Sequence, residues 1–165
     1  MADPATMMER GFAAIAAKDL DALGATHHED VVEDFQVLGP IVGRSQVRAF
    51  FSETFAAMPD MVFSVERIMP VDDRIAVGQW RIDGTFTEAT FAGIAATGKP
   101  VSIRGIDVME FEDDLLVHNT IYYDGLKFAR QVGLLPPEGT RRDRAITSAF
   151  NFFTKTKAKL RRSRS

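Results

Sequence analysis

The amino-acid sequence predicts an α+β fold, in which a curved antiparallel sheet wraps around helices as a cone with an internal pocket. Two patterns lead to this prediction. Apolar residues recur at helical spacing up to residue 57, and they alternate with polar residues over most of 61–123. The chain has 165 residues, a length that fits one domain.

Helices dominate the first part of the chain. The apolar spacing predicts helices over 4–17, 20–28 and 43–57, and Asp19 is a suitable cap for the second of them. Between these helices, the composition of 31–37 predicts a strand, which Gly39-Pro40 is expected to end. Three helices and a single strand therefore precede the region of alternating residues.

Strands dominate the second part of the chain. Alternation of apolar and polar residues predicts four strands, and a turn at Asp113-Asp114 joins the last two as a hairpin. A short helix follows and ends at Gly133, a residue that suits a helix C-terminus. The predicted elements are strands over 61–69, 75–82, 101–111 and 116–123, and a helix over 126–132.

The composition excludes several classes of site. The chain contains no cysteine, which excludes disulfides, thiol nucleophiles and iron–sulfur clusters. It has no apolar run of about 18 residues that could span a membrane. Its first residues also lack the apolar segment that is typical of a signal peptide. We therefore expect a cytoplasmic protein.

The charge distribution divides the chain into two parts. Residues 1–137 carry 11 basic and 21 acidic side chains, a net charge of −10. Residues 138–165 carry nine basic and two acidic side chains, a net charge of +7. We therefore predict an α+β domain over 1–137 and a basic, amphipathic helical extension over 138–165.

Short motifs between about residues 9 and 134 occur in an order that is typical of one protein family. They are KDLDAL at 18–23, HEDVV at 28–32, GR at 43–44, MPD at 58–60, GTFT at 84–87, TGKPV at 97–101, GIDV at 105–108 and QVG at 131–133. With these motifs the chain resembles the SnoaL-like polyketide cyclases and their ester cyclase relatives, which have the nuclear-transport-factor-2-like fold.

The resemblance implies an enzyme that works without a cofactor or a metal. Such an enzyme performs an intramolecular aldol-type cyclisation, or a related proton transfer, on a small apolar or polycyclic ester substrate. A non-catalytic protein that binds a small apolar molecule in the same pocket is the alternative, because one fold hosts many functions. No nucleic-acid partner is expected.

Asp124 is the first candidate for the catalytic acid/base. It lies at the end of the last predicted strand, where the resemblance implies a carboxylate that transfers protons. Alternation puts Thr120, Tyr122 and Asp124 on one face of that strand, which we expect to line the pocket. The alternative is that Asp124 caps the helix that follows it.

Asp107 and Asp34 are further candidate carboxylates. Their segments are similar to those that carry the protonated Asp and the general base of ketosteroid isomerases, which share this fold. Those enzymes have an oxyanion tyrosine in the first helix, where this chain has Gly11 and Phe12, and this argues against isomerase activity. Arg104 lies three residues before Asp107, so an unbulged strand points the two side chains to opposite faces.

Aromatic and polar side chains are candidates for the pocket wall, with ordinary core packing as the alternative interpretation of the aromatic ones. The predicted substrate-binding residues are Asp34, Trp80, Phe86, Arg104, Thr120 and Tyr122.

His27 and His28 do not predict a metal site, because adjacent helical side chains diverge by about 100° and the chain has only one other histidine.

The basic extension contains one apolar stripe at helical spacing. We expect this stripe to pack on the acidic domain or on a dimer mate, because the two parts have opposite charge. Contact of the basic helix with an anionic membrane surface is the alternative. The stripe consists of Ala145, Ile146, Ala149, Phe150 and Phe153.

The resemblance also implies a homodimer. Proteins of this fold commonly bury the outer face of the sheet against a second copy. Ile103, Ile121 and Tyr123 are candidates for this surface if they point outward from the sheet.

Overall fold

The computed structural model describes residues 2–162, with side chains described up to residue 157. The last three residues of the predicted extension lie outside this range. A mixed α+β unit is followed by one long helix. The elements are α1 (Pro4–Ala17), α2 (Leu20–Ala25), β1 (His27–Phe35), β2 (Gly39–Val42), α3 (Arg44–Ala57), β3 (Val62–Pro70), β4 (Ile75–Phe86), β5 (Lys99–Glu112), β6 (Leu115–Tyr123), α4 (Gly125–Val132) and α5 (Arg141–Arg162).

The strands form one curved, unclosed sheet in the order β2-β1-β6-β5-β4-β3. This architecture confirms the predicted fold class. Neighbouring strands are antiparallel except β1 and β6, which run parallel, with Glu33 opposite Asn119. The sequence does not predict this parallel pair, because alternation indicates the face of a residue and not the strand that it joins.

Side-chain caps and turns set where several elements begin and end. Asp3 caps α1 by accepting a hydrogen bond from the backbone nitrogen of Thr6 at 3.2 Å. Asp19 caps α2 in the same way through two backbone N–H groups. At the β5–β6 turn, Asp113 and Asp114 both take positive φ angles, 49° and 64°, which a two-residue hairpin turn of this kind requires.

Several predicted boundaries differ from the structure, two of them at the ends of β1. The helix predicted over 20–28 ends earlier, because His27 already belongs to β1 and pairs with Leu116 of β6. The strand predicted over 31–37 ends at Phe35, the chain turns over 36–38, and Gly39-Pro40 begins β2 instead of ending a strand. Gly39 takes a φ angle of 92°, and Pro40 lies on an edge strand, where proline is tolerated.

The hydrophobic core lies between the sheet and the helices, with α1 packed on β3 and β4 and α3 packed on β1 and β2. Met8 and Phe12 of α1 are fully buried. They lie over Gly78 of β4, where a Cβ atom would come within 2.5 Å of the Phe12 ring. The missing side chain at Gly78 therefore lets α1 approach the sheet closely.

Helix α5 extends from the end of the α+β unit. Asp143 in its first turn accepts a hydrogen bond from Arg130 of α4 at 3.3 Å. Its large apolar side chains stay exposed, with Ile146 at 55%, Phe150 at 68% and Phe153 at 69%. The predicted stripe therefore does not pack on the acidic domain of its own chain. Among the described residues, no helix is long and apolar enough to cross a membrane.

We expect Gly78→Ala to destabilise the protein by about 1–3 kcal/mol, because the new methyl group overlaps the side chains of Phe12 and Met8. Urea unfolding measures the change. Gly24→Ala in α2 is the control, since a Cβ there meets no atom closer than 3.9 Å. This variant should be more stable by up to about 1 kcal/mol, because alanine favours a helix. Equal stability of Gly78→Ala and the wild type would contradict the close packing.

Candidate active site

A cavity of about 90 Å³ lies between the interior face of the sheet and helices α1 to α4. Most of the side chains that line it are apolar. Phe91 joins two neighbouring aromatic side chains in the wall, with ring centres 5.6 Å from Phe50 and 6.2 Å from Phe128. The cavity is larger than a single water molecule requires. It can therefore hold a small apolar ligand.

One wall of the cavity carries a row of hydrogen-bonded side chains, His27, Glu33, Asn119, Asp107 and Trp80, each at most 5% exposed. His27 Nε2 lies 3.0 Å from Glu33 Oε1. The Asn119 Nδ2 group donates to Glu33 Oε2 at 2.9 Å and to Asp107 Oδ2 at 3.2 Å. Trp80 Nε1 donates to Asp107 Oδ1 at 2.7 Å. We call these five residues the polar row.

Strand register brings the polar row together. Glu33 lies opposite Asn119 in the parallel β1–β6 pair. Asp107 of β5 lies diagonally from Asn119 on the same face, which is within reach of hydrogen-bonding side chains. Trp80 of β4 lies opposite Gly105, where a Cβ atom would overlap the indole. Because Gly105 has no side chain, the indole lies across β5 and reaches Asp107.

Asn119 separates the two carboxyl groups of the polar row. Carboxylate oxygens only accept hydrogen bonds, so the amide nitrogen has to face both Glu33 and Asp107. Within the described part of the chain, the buried amide oxygen of Asn119 has no hydrogen-bond partner. The amide thus connects two acidic groups without adding a charge of its own.

Burial raises the pKa of Asp107 to about 7, and the negative charge of Glu33 contributes to this increase. The hydrogen bonds from Trp80 and Asn119 favour the ionised form and act in the opposite direction. With this pKa, Asp107 can both release and accept a proton near neutral pH. Burial also raises the pKa of Tyr123, whose side chain lines the same cavity.

Both ring nitrogens of His27 have hydrogen-bond partners within the protein. Nε2 faces Glu33, and Nδ1 lies 2.7 Å from the carbonyl oxygen of Leu23 and 3.0 Å from Thr26 Oγ1. Between residues 2 and 162, no three His, Asp or Glu side chains form a cluster that could hold a metal ion. The histidine therefore anchors one end of the polar row.

The structure places Asp124 outside the cavity. The residue is exposed, and its carboxylate caps α4 by accepting a hydrogen bond from the backbone nitrogen of Lys127 at 2.8 Å. This arrangement agrees with the alternative interpretation of Asp124, in which it caps the helix that follows the last strand.

The face of β6 that lines the cavity is not the one predicted from the sequence. Thr120 and Tyr122, predicted to line the pocket, lie on the outer face instead. Tyr122 is 52% exposed on the outer face, and Thr120 shares that face. Ile121 and Tyr123 point inward, as does Ile103 of β5, so these three do not form an outer surface. Alternation separates the two faces of a strand but does not indicate which is interior. The β6 residues that line the cavity are Leu116, Asn119, Ile121 and Tyr123.

The structure brings two of the remaining predicted site residues, Asp107 and Trp80, into the cavity wall. Asp34 does not line the cavity, because it alternates with Glu33 along β1 and lies on the outer face. Arg104 is exposed on β5 and forms an ion pair with a glutamate of β3. Phe86 is buried in the core, away from the cavity lining.

The site predicted from the sequence lacks Glu33 and Asn119, although alternation contains a signal for Glu33. It lies between the buried residues Val31 and Phe35 on the interior face of β1. A charged residue in phase with apolar neighbours on a strand needs a partner inside the protein. Asn119 also lies two residues from a buried residue, Ile121, but both faces of β6 carry polar and apolar residues, so alternation gives no such signal for it.

The family model that describes SnoaL-like polyketide cyclases matches residues 5–132. The chain belongs to the SnoaL-like polyketide cyclase family. This confirms the resemblance found in the motifs, and the matched region ends with α4, so that α5 lies outside it. A comparison with curated proteins gives no match.

Solved structures with the same fold include several bacterial proteins. A candidate SnoaL-like polyketide cyclase from Jannaschia sp. CCS1 has a TM-score of 0.70 at 21% identity, covering 79% of this chain and 92% of its own. A candidate polyketide cyclase from Pseudomonas putida KT2440 has a TM-score of 0.71 at 19% identity, covering 81% and 100%. AclR from Streptomyces galilaeus, a candidate hydroxylase, has a TM-score of 0.69 at 18% identity, covering 97% and 95%. At these identities the likeness establishes the fold.

We expect Glu33→Gln to lower the pKa of Asp107, because it removes a negative charge from the polar row and keeps the shape of the side chain. The only tryptophan of the chain, Trp80, donates a hydrogen bond to Asp107. The NMR resonance of the indole N–H therefore follows the ionisation of this carboxyl group. Titration of that resonance between about pH 5 and about pH 9 measures the pKa.

Asp34→Asn is the matched control for this titration. It removes one carboxylate from the neighbouring position of β1, on the outer face of the sheet. We expect it to leave the pKa of Asp107 unchanged. If Glu33→Gln leaves the titration of the Trp80 resonance unchanged, or if both variants shift it equally, the charge of Glu33 does not control Asp107.

We expect the free energy of unfolding of the wild type, relative to that of Asp107→Asn, to decrease between about pH 4 and about pH 7. The pKa of Asp107 rises from its ordinary value of 3.8 to about 7 on folding, so the folded state binds more protons in this range. The contribution is complete below the lower pKa and is lost as the pH rises through the higher one. Urea unfolding across this range measures the difference, and parallel curves would contradict the raised pKa.

Proposed function

We propose that the protein is a cofactor-independent cyclase in which Asp107 is the acid/base of an intramolecular aldol-type reaction. The observation that carries this proposal is the buried carboxyl group in the cavity wall, with its pKa raised to about 7. A general base is most effective when its pKa lies near the working pH. The carboxyl group of Asp124 does not have a buried position of this kind, because Asp124 is exposed and caps α4.

In the proposed reaction, the Asp107 carboxylate removes a proton from an activated methylene of the substrate. The carbanion that results attacks a carbonyl carbon of the same molecule, and a carbon–carbon bond and an alkoxide form. The protonated Asp107 then returns the proton to the alkoxide. The product of the cyclisation is an isomer of the substrate, and no electrons are exchanged with a cofactor. The cavity contributes by holding the two reacting carbon atoms close together.

Tyr123 is the proposed hydrogen-bond donor to the developing alkoxide. Its side chain lines the cavity on the interior face of β6, the face that also carries Asn119. Its raised pKa keeps the hydroxyl group protonated at neutral pH, and donors directed at a developing oxyanion lower the barrier of such reactions.

The size of the cavity supports a small substrate. Its volume of about 90 Å³ is below the range of about 300–1,000 Å³ that is common for pockets of drug-sized ligands. The walls are mostly apolar, and their polar side chains are those of the polar row, Tyr123, Thr26 and Thr54. We therefore favour a small apolar ester over a polycyclic one.

Binding of an apolar molecule without chemistry is the second candidate function. The observation that favours it is the internal pairing of the polar row. Both carboxylate oxygens of Glu33 and of Asp107, and both ring nitrogens of His27, already have partners within the protein. A hydrogen-bonded network of this kind can serve to hold strands in register.

Deuterium exchange tests the proton transfer without knowledge of the natural substrate. In D₂O, an enzyme that removes a proton from an activated methylene replaces it with deuterium, and NMR follows this exchange in a short-chain alkyl β-keto ester. We expect the wild type to accelerate the exchange, increasingly as the pH rises through about 7. We expect Asp107→Asn to lower the accelerated rate by about 10²–10⁴-fold.

Asp124→Asn is the comparison variant for this experiment. Asparagine caps a helix about as well as aspartate, so the fold and the exchange rate should stay those of the wild type. If Asp124→Asn loses the exchange and Asp107→Asn retains it, Asp124 is the acid/base. If the ester quenches the fluorescence of Trp80 but the wild type gives no acceleration, the protein is a binding protein for such compounds.

A further inference from the structure

The polar row lies inside the protein, so a ligand reaches Asp107 only when part of the cavity wall moves. The five side chains of the row are each at most 5% exposed. Most of the wall consists of helices and of strands in the sheet, whose backbones are held by regular hydrogen bonds. Phe91 is different, because it lies in the middle of the connection between β4 and β5, residues 87–98. The other described lining residues outside helices and strands directly adjoin one of these elements; they are Thr26, Met58 and Met61.

We propose that Phe91 is the gate of the cavity, and that the β4–β5 connection moves outward to admit a ligand and closes behind it. Lids of this kind separate a bound molecule from water and favour ligands that fit the closed state. The proposal rests on the proposed function for the identity of the ligand, a small apolar ester. The movement of the connection is a property of the protein without a ligand, so it can be measured separately.

The ring of Phe91 lies between two helices. α3 packs on β1 and β2, whereas α4 packs on β5, so the two helices cover different parts of the sheet. The centre of the Phe91 ring is 5.6 Å from that of Phe50 in α3 and 6.2 Å from that of Phe128 in α4. Phe91 is buried, although the residues on both sides of it in the chain are exposed. Removal of this ring therefore leaves a passage between α3 and α4.

Hydrogen bonds hold the β4–β5 connection at its ends and not in its middle. Thr87 donates a backbone hydrogen bond to Ala57 at 3.1 Å, and Gly98 donates one to Phe86 at 2.7 Å. Between residues 88 and 96, no hydrogen bond joins the connection to any other part of the chain that the structure describes. Packing of apolar side chains alone keeps this middle part against the cavity. It can therefore open without breaking a strand pair of the sheet.

A tight turn makes the middle of the connection a small unit of its own. Phe91 and Ile94 exchange two backbone hydrogen bonds, at 3.0 and 2.8 Å, around the turn at Ala92-Gly93. Both turn residues have positive φ angles, 49° and 77°, as a two-residue hairpin of this kind requires. Ile94 is partly buried against the core, like Phe91. The two side chains are therefore expected to leave the wall and return to it together.

Quenching of Trp80 fluorescence by acrylamide tests the gate without a substrate. Trp80 is the only tryptophan of the chain, and it is buried in the cavity wall, so acrylamide has to enter the protein to quench it. We expect Phe91→Ala to raise the quenching rate constant about tenfold, because entry no longer waits for the connection to open. Phe111→Ala is the matched control, since it removes the same ring from the cavity wall on β5, where the sheet holds the backbone. This control should be quenched like the wild type.

An unchanged quenching rate constant in Phe91→Ala overturns the gate. An equal increase in both variants also overturns it, since loss of any ring from the wall then admits acrylamide. The deuterium exchange described above separates this result from the proposed function. If quenching changes as expected but the wild type does not accelerate the exchange of the ester, the proposed reaction is wrong and the gate stands. If the exchange is accelerated but quenching stays unchanged in Phe91→Ala, the reaction stands and the gate is wrong.

Hydrogen exchange of the wild type tests the same movement, even if Phe91→Ala does not fold. Below the unfolding transition, we expect the N–H groups of Phe91 and Ile94 to exchange at rates that do not depend on urea, because a local opening exposes little surface. The N–H group of Val108, in the middle of β5, should exchange faster as urea is added. If all three respond equally to urea, the connection opens only when the whole protein unfolds, and the gate is wrong.

Discussion

Two carboxyl groups, Glu33 and Asp107, are buried on the interior face of the same sheet, where an unpaired charge is very costly. Asn119 lies between them and donates to both, while His27 and Trp80 occupy the remaining oxygens. These hydrogen bonds join β1, β6, β5 and β4 across the sheet. A shift of one residue in any of these strands would turn a polar side chain to the outer face and leave its partners unsatisfied. The register of the four strands therefore depends on the hydrogen bonds that link these side chains.

The apolar walls of the cavity serve the fold and the site together. They supply the buried surface that stabilises the domain, and they exclude water from the carboxyl group of Asp107. Two glycines make this arrangement possible, since Gly78 admits the side chains of α1 and Gly105 admits the indole of Trp80. The acid/base character that we propose for Asp107 thus depends on how closely the layers pack.

Much of the fold follows from local patterns and could be predicted from them. The caps at Asp3 and Asp19 and the turn at Asp113-Asp114 involve neighbouring residues. The candidate site depends on distant ones. Asp107 and Trp80 could be named, but the wall that joins them contains Glu33 and Asn119, which meet through a pairing that no local pattern encodes. The interior face of β6 could not be chosen either, because polar and apolar residues occupy both of its faces.

The parallel pairing of β1 with β6 also implies an order of assembly. β3, β4, β5 and β6 follow one another in the chain and in the sheet, and connections of at most 12 residues bring each to the next. Glu33 and Asn119 are 86 positions apart, so their contact closes a long loop at a high cost in chain entropy. Until β1 arrives, the carboxyl group on β5 lacks the neighbouring charge and the shielding that distinguish it. Asp107 therefore acquires its raised pKa only after β1 has joined the sheet.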